Sequence, residues 1–332
     1  MNFKFFVPAV LALFALAGCG GGDGDSTTTR TSKVSFSLSD APVDYAESVT
    51  IAVDRLELVN SSGQSIFIDV GTDTQDYIQL DLLDYQGMNS ALIVSDEPIP
   101  VGQYRNLIMH IHSEPGLNFV IDRMGEQPLK QPSNKLRLGG FVVQAEAVQA
   151  FTIEFDLRMS MVMRGNMNNN NGYILKPHGV KIIANDAAVA LSGTVDQAFW
   201  GEGGCQDPDP AGNMIYLYSG SGLENDQMID LIDPSDEGYT GEPALPEMAV
   251  APVASTGVMD GTGEYQFGYL EPGDYTVAFV CTGAADDPVQ YNPEVVVPAN
   301  VVDSGVTKKE VTLVLGQEAT VDFGPQQPMP MP

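Results

Sequence analysis

From Ser32 to Phe323 the chain alternates apolar and polar residues in short runs, each closed by Gly, Pro, Asn or Asp. No stretch sustains the 3.6-residue period of an ordinary helix. Side chains on a strand point to opposite faces at each step, so the pattern fits sheets buried on one side. In the first run Val34, Phe36 and Leu38 would face a core and Ser35, Ser37 and Ser39 water, with Asp40-Ala41-Pro42 ending the strand. One helical turn is expected near Leu80–Tyr85, where Asp81-Leu82-Leu83 precedes Gly87. The expected fold is all-β, two consecutive β-sandwich domains over residues 32–186 and 187–323, with Asp186-Ala187-Ala188 at their boundary. A chain of 332 residues is long enough to bury two such cores.

Ahead of the strands, Lys4 and the apolar run from Phe5 lead into Leu16-Ala17-Gly18-Cys19. A charged start, a short apolar stretch and small residues before a cut describe a secretory signal, too short to remain as a membrane-spanning helix. The Leu-Ala-Gly-Cys sequence resembles the lipobox of bacterial lipoproteins, which implies removal of residues 1–18 and a thioether-linked diacylglycerol on Cys19. Gly20 rather than Asp follows, which by the same resemblance favours the outer over the inner membrane. Residues 19–31 then read as a flexible tether, and the Pro-rich residues 324–332 as a tail that cannot pair in a sheet. The expected setting is the cell envelope, with a membrane as partner through the lipid.

Charge is spread unevenly. The chain has a net charge of −29; residues 31–186 hold 11 Lys and Arg against 19 Asp and Glu, whereas residues 187–332 hold only Lys308 and Lys309 against 23 acids. Between Lys181 and Lys308 there is no basic side chain. Such a surface repels phosphate backbones, which excludes nucleic acid as a natural partner. It fits either adaptation to salty surroundings or binding of divalent cations. The acidic half is expected to behave as a physical unit of its own.

Two cysteines besides Cys19, Cys205 and Cys281, fall in that half, and in an exported domain a disulfide between them is expected. For a transition metal, His110 and His112 would project from one face of a strand, with His178 on another strand run. Two partly exposed histidines on a wet face is the simpler reading, since no Cys or HExxH helix supports a metal. Calcium is the more natural ion: Asp207 and Asp209 beside Cys205, and Asp226, Asp230 and Asp233 on the long loop Gly220–Pro246, offer hard oxygen ligands. Neither run has EF-hand spacing, and a solvated acidic loop explains both. Phe155, Leu157, Met159, Met161 and Met163 would form one apolar face of a continuous strand, with Arg158 and Ser160 opposite, so these thioethers read as core rather than copper ligands.

Two turns rhyme: Pro100-Val101-Gly102-Gln103-Tyr104 and Pro272-Gly273-Asp274-Tyr275 each place a Pro/Gly turn before a Tyr that opens an apolar strand. The motifs Ser39-Asp40-Ala41-Pro42-Val43-Asp44, Leu80-Asp81-Leu82-Leu83, Pro100 to Tyr104, Phe155-Asp156-Leu157 and Leu175-Lys176-Pro177 resemble, over residues 32–184, a bacterial lipoprotein domain family of unknown function. The resemblance implies an immunoglobulin-like or transthyretin-like sandwich and no particular activity. Leu191 to Val195, Gly261 to Phe267, Leu270 to Tyr275 and Gln317 to Phe323 resemble the carboxypeptidase regulatory-like, prealbumin-type sandwich over residues 189–323.

No GxSxG elbow, P-loop, dinucleotide fingerprint or Cys–His pair is present. The functional expectation is therefore a non-enzymatic envelope lipoprotein, a surface or periplasmic module for adhesion, envelope assembly or glycan contact. Metal binding is the alternative. Trp200, Tyr216 and Tyr218 are the aromatics that could stack on sugar rings, and convergent carboxylates in a deep cleft would instead point to a hydrolase.

Overall fold

The computed structural model describes residues 30–41, 43, 45–145, 147–166, 169–200, 212–259, 261–301 and 306–325. The first half is built from β1 (Thr31–Ala41), β2 (Ala46–Asn60), β3 (Ser65–Asp69), β4 (Ile78–Asp81), β5 (Ala91–Pro100), β6 (Gly102–Ile111) and β7 (Phe119–Asp122). It continues through β8 (Gly125–Lys130), β9 (Lys135–Arg137), β10 (Phe141–Val143), β11 (Val148–Asp156), β12 (Met161–Asn166), β13 (Asn169–Leu175) and β14 (Val180–Ala184). The second half comprises β15 (Val189–Thr194), β16 (Met214–Ser219), β17 (Ala254–Gly257), β18 (Glu264–Leu270), β19 (Gly273–Val280), β20 (Lys308–Leu313) and β21 (Ala319–Thr320). Among the described residues helix is confined to single turns, and none is long and apolar enough to cross a membrane. The all-β expectation holds.

In the first half a four-stranded sheet, β14-β11-β1-β5, faces a larger one, β10-β6-β2-β7-β8-β13-β12, with β3 and β4 also on β2 and β9 on β6. Phe36, Leu38, Ile51, Leu56, Met109, Ile153 and Phe155 fill the space between them. In the second half β18-β15-β21 packs on β17-β16-β19-β20 around Leu191, Ile215, Leu217, Phe267, Val277 and Phe279. Apolar faces of this kind supply most of the stabilisation.

The rhyming tyrosines play one role in both halves. Tyr104 Oη donates to the Pro100 carbonyl at 2.8 Å and Tyr275 Oη to the Glu271 carbonyl at 2.9 Å, each four residues back. Each hydroxyl ties down the turn that precedes its strand, as the tyrosine corner does in sandwich folds.

Two expectations about faces are corrected. Ser37 and Ser39 are buried, not wet: β17 and β18 of the second half contact β1, and the Ser39 hydroxyl meets the carbonyls of Tyr85, Gly87 and Asn89 in the first half. The strand through the methionines is also not continuous. It breaks at Asp156, whose carboxylate caps a helical turn, α1 (Leu157–Ser160), by accepting from the Met159 N–H at 3.1 Å. The turn swings Arg158, 5% exposed, and Ser160 into the protein, and sends Met159 to a third apolar cluster with Met214, Tyr216, Tyr218 and Leu231 of the second half. The loop from Gly220 is likewise not a solvated arch: Met228, Ile229, Asp230, Leu231 and Asp233 are buried against β16 and β19. The helical turn expected near Leu80 is present as a 3₁₀ turn over Leu82–Asp84, capped by Asp81.

Candidate functional site: the charged seam and its cleft

The acidic half lacks cations of its own between Lys181 and Lys308, and the basic side chains at the end of the first half make contact with it there. Arg158 donates to the Gly283 carbonyl and lies 4.0 Å from Asp286, whose side chain is wholly buried. Lys176 pairs with Asp236, His178 lies 3.7 Å from Asp233, and Lys181 donates to the Val253 carbonyl at 2.6 Å. Bonds from uncharged donors complete the seam. The Ser255 N–H donates to Asp156 at 2.6 Å and its hydroxyl at 3.0 Å, and Tyr269 Oη donates to the Met88 carbonyl at 3.0 Å. Gly268 runs so close to the Gly87 carbonyl that a Cβ there would collide with it.

Burial drives the acids of this region away from their ordinary behaviour. Asp286 is pushed up to about 6 by burial, with the Arg158 charge and the Tyr216 hydroxyl holding it back. Asp230 is pushed up to about 8 by burial and then by the Asp286 charge, although its Oδ2 accepts from the Asn292 N–H at 2.8 Å. Burial also raises Asp40, Glu154 and Asp156. The Leu231 backbone N–H also holds Asp286 down, while Oδ1 of Asp230 is buried with no hydrogen-bond partner.

A cleft of about 470 Å³ opens along the seam. The first half contributes Tyr45, Ala46 and Glu47 ahead of and at the start of β2, and Asp122, Arg123 and Met124 at the turn after β7. Arg158, Met161, Met163, Asn170 and Tyr173 also line it, and the acidic half contributes Ala284, Asp286 and Pro288. The Tyr45 and Tyr173 rings stack at 6.1 Å. Asp122 is fixed by three donors: the Met124 N–H at 2.8 Å, Asn170 Nδ2 at 2.8 Å and Tyr173 Oη at 2.9 Å. Gly172, at φ +97°, permits this arrangement, since a Cβ there would strike the Pro128 carbonyl.

The residues nominated from sequence go elsewhere. His110 Nε2 lies 3.0 Å from Glu57, which also takes Lys135 at 3.4 Å, while His112 Nδ1 lies 3.2 Å from Asp54 and stacks on Tyr77. With His178 at Asp233, the three imidazoles meet separate acids. Among the described residues no three His, Cys, Asp or Glu side chains are grouped to hold a metal ion. Burial alone would raise Glu57, but bonds from Ser65 and His110 and the Lys135 charge hold it below the usual carboxylate range. Asp226 is exposed, and Asp230 and Asp233 are buried parts of the seam region rather than open calcium ligands. Tyr216 and Tyr218 are fully buried and present no sugar platform. Cys281 is buried at the end of β19; Cys19, Cys205, Asp207 and Asp209 lie outside the described residues. Sequence reasoning missed Arg158 and Asp286. The signal was the cation-free interval itself, because buried acids within it need cations from elsewhere.

Residues 31–177 match the family model described as "Domain of unknown function (DUF4382)". No curated protein matches the chain in sequence. Crystal structures of GBS52, the minor pilin of Streptococcus agalactiae, and BcpA, the major pilin subunit of Bacillus cereus, align with 90% of this chain and with 99% and 100% of theirs. The identities are 11% and 10% and the TM-scores 0.19, a likeness too distant to transfer a role.

Proposed function

We propose that this chain is a lipid-anchored, non-enzymatic binding module of the bacterial cell envelope. Its ligand site is the cleft between the two sandwiches, and it serves adhesion or envelope assembly through an envelope protein or a glycan. The cleft carries the reading: it is preformed, of ligand size, and lined by apolar walls with a few fixed polar groups. The non-enzymatic part is supported by the state of the cleft carboxylates. Asp122 is held by three donors, and Asp286 by Arg158 and Tyr216, so both serve the structure. Leu16 to Cys19 supports the anchor, and two acyl signals on one cysteine suffice for stable membrane attachment. The three-on-four sandwich of the second half supports a prealbumin-type domain.

The burial of Cys281 in the second core supports a disulfide to Cys205; closing a loop of about 75 residues would stabilise by roughly 4 kcal/mol. Two free thiols in the exported protein would exclude it. The anchor is tested with Cys19→Ser in a bacterial host fed labelled palmitate. The parent is expected to carry label and sediment with membranes, and the variant to remain an unlabelled precursor. A variant that partitions into detergent as the parent does would refute the anchor.

A further inference from the structure

We propose that the end of the first sandwich from which the chain runs back to Cys19, bearing Val142 and Val148, rests on the phospholipid bilayer and holds the seam cleft facing away from it. This rests on the reading of Cys19 as lipidated and adds the orientation in which the anchored chain works.

Several chain segments meet at that end. The carbonyl of Arg30, the residue before β1, accepts from the Val101 N–H at 2.8 Å, in the turn between β5 and β6. The Ser32 hydroxyl donates to the Gln144 carbonyl at 2.6 Å, just past β10, and Lys33 lies opposite Val148, the first residue of β11. Gln149 ties β11 to β10: its Oε1 accepts from the Gln144 N–H at 2.6 Å and its Nε2 donates to the Val142 carbonyl at 3.5 Å. Here Val148 is 75% exposed and Val142 52%, with Pro98 and Ala145 also exposed.

Single exposed valines are ordinary on any surface. These two flank the point where the chain leaves for Cys19, and that decides what covers them. Residues 19–29 are Gly-, Ser- and Thr-rich, and a flexible linker of that length spans about 18 Å between its ends. An anchored Cys19 therefore keeps this end beside the bilayer at an effective concentration on the order of 1 mM, where a contact too weak to recruit a free protein is still populated. Apolar side chains enter the headgroup boundary, and Arg30 and Lys33 are cations for headgroup phosphates. Asp96, 4.0 Å from Lys33, Glu97, and Glu146, next to Ala145 in sequence, offset that charge, so the apolar contact sets the orientation. β1 and β11 run parallel away from this end, as far as Ala41 opposite Asp156. The nine residues of β11 span roughly 30 Å, and the turn that carries Arg158 to the cleft follows them, so the cleft lies at the far end.

The test uses the full lipidated chain on vesicles of phosphatidylethanolamine and phosphatidylglycerol, with and without brominated acyl chains that quench tryptophan on contact. Three variants each add one tryptophan: Val142→Trp, Val148→Trp and, at the cleft, Met124→Trp, a residue 48% exposed. The parent, whose only tryptophan is Trp200, sets the background. Val142→Trp and Val148→Trp are expected to shift to the blue and lose emission on brominated vesicles, and Met124→Trp to match the background. Adding Val148→Asp to Val142→Trp should restore emission while the protein still floats with the vesicles, with near-UV circular dichroism confirming the fold. Floating protein with equal quenching at both ends, with none at Val142 and Val148, or with quenching that Val148→Asp leaves unchanged, overturns the orientation and leaves the anchor standing. A palmitate-free parent that fails to float overturns the anchor and the orientation together.

Discussion

Replacing Arg158 by Met removes the one cation set against the buried Asp286 while keeping most of the side-chain volume, and its cost should depend on pH. At pH 8 Asp286, whose pKa is about 6, is ionised in the parent beside Arg158. Stripping one partner from a buried pair costs about 3–5 kcal/mol, because the other charge is left uncompensated. At pH 5 Asp286 is mostly protonated in the folded protein, so the variant loses chiefly the bond to the Gly283 carbonyl, worth about 1–2 kcal/mol. The sign follows from linkage. A folded-state pKa raised above the unfolded value of about 3.9 gives stability fully present below that value and lost as pH rises through the folded pKa. Losing Arg158 raises that pKa further and deepens the loss on the alkaline side. Tyr216, Asp230 and Asp287 face the same carboxyl and are unchanged in the comparison. Urea unfolding followed by far-UV circular dichroism at pH 5 and pH 8 should therefore show a loss about 2 kcal/mol larger at pH 8. A loss equal at both pH values, or below about 1 kcal/mol at pH 8, would refute the role given to this pair.

Asp230→Asn keeps an oxygen to accept the Asn292 N–H but cannot ionise. The parent should lose stability from about pH 4 up through about 8, and the variant should show a flatter profile of melting temperature over that range; identical profiles would count against a raised Asp230. Gly268→Ala sets a methyl group against the Gly87 carbonyl and should cost about 1–3 kcal/mol in urea unfolding, whereas a neutral result would mean the seam is looser there.

The pattern of alternating faces was readable because each sandwich buries one side of every central strand, and Val34, Phe36 and Leu38 lie in the core as that pattern requires. Ser37 and Ser39 were misread for a physical reason: their face is met by the loop at Tyr85–Asn89 and by strands of the second half, and short-range alternation carries no information about such docking. Asp156-Leu157-Arg158-Met159-Ser160 satisfied the alternation of a strand equally well, and only the ability of Asp156 to cap a turn and grip Ser255 decides against it. The cleft was invisible for the same reason as the seam, since its walls come from both halves. The acidic half, expected to behave as a unit of its own, makes contact with Arg158, Lys176, His178 and Lys181 of the first half, which alternation within either half does not announce.

Differential scanning calorimetry of residues 19–332 tests most directly whether the two sandwiches form one body around the cleft. Buried charge pairs and a shared apolar cluster joining the halves predict a single cooperative transition, with calorimetric and van't Hoff enthalpies equal, and one that stays single from pH 5 to pH 8. Two well-separated transitions, with the acidic half melting on its own, would contradict it.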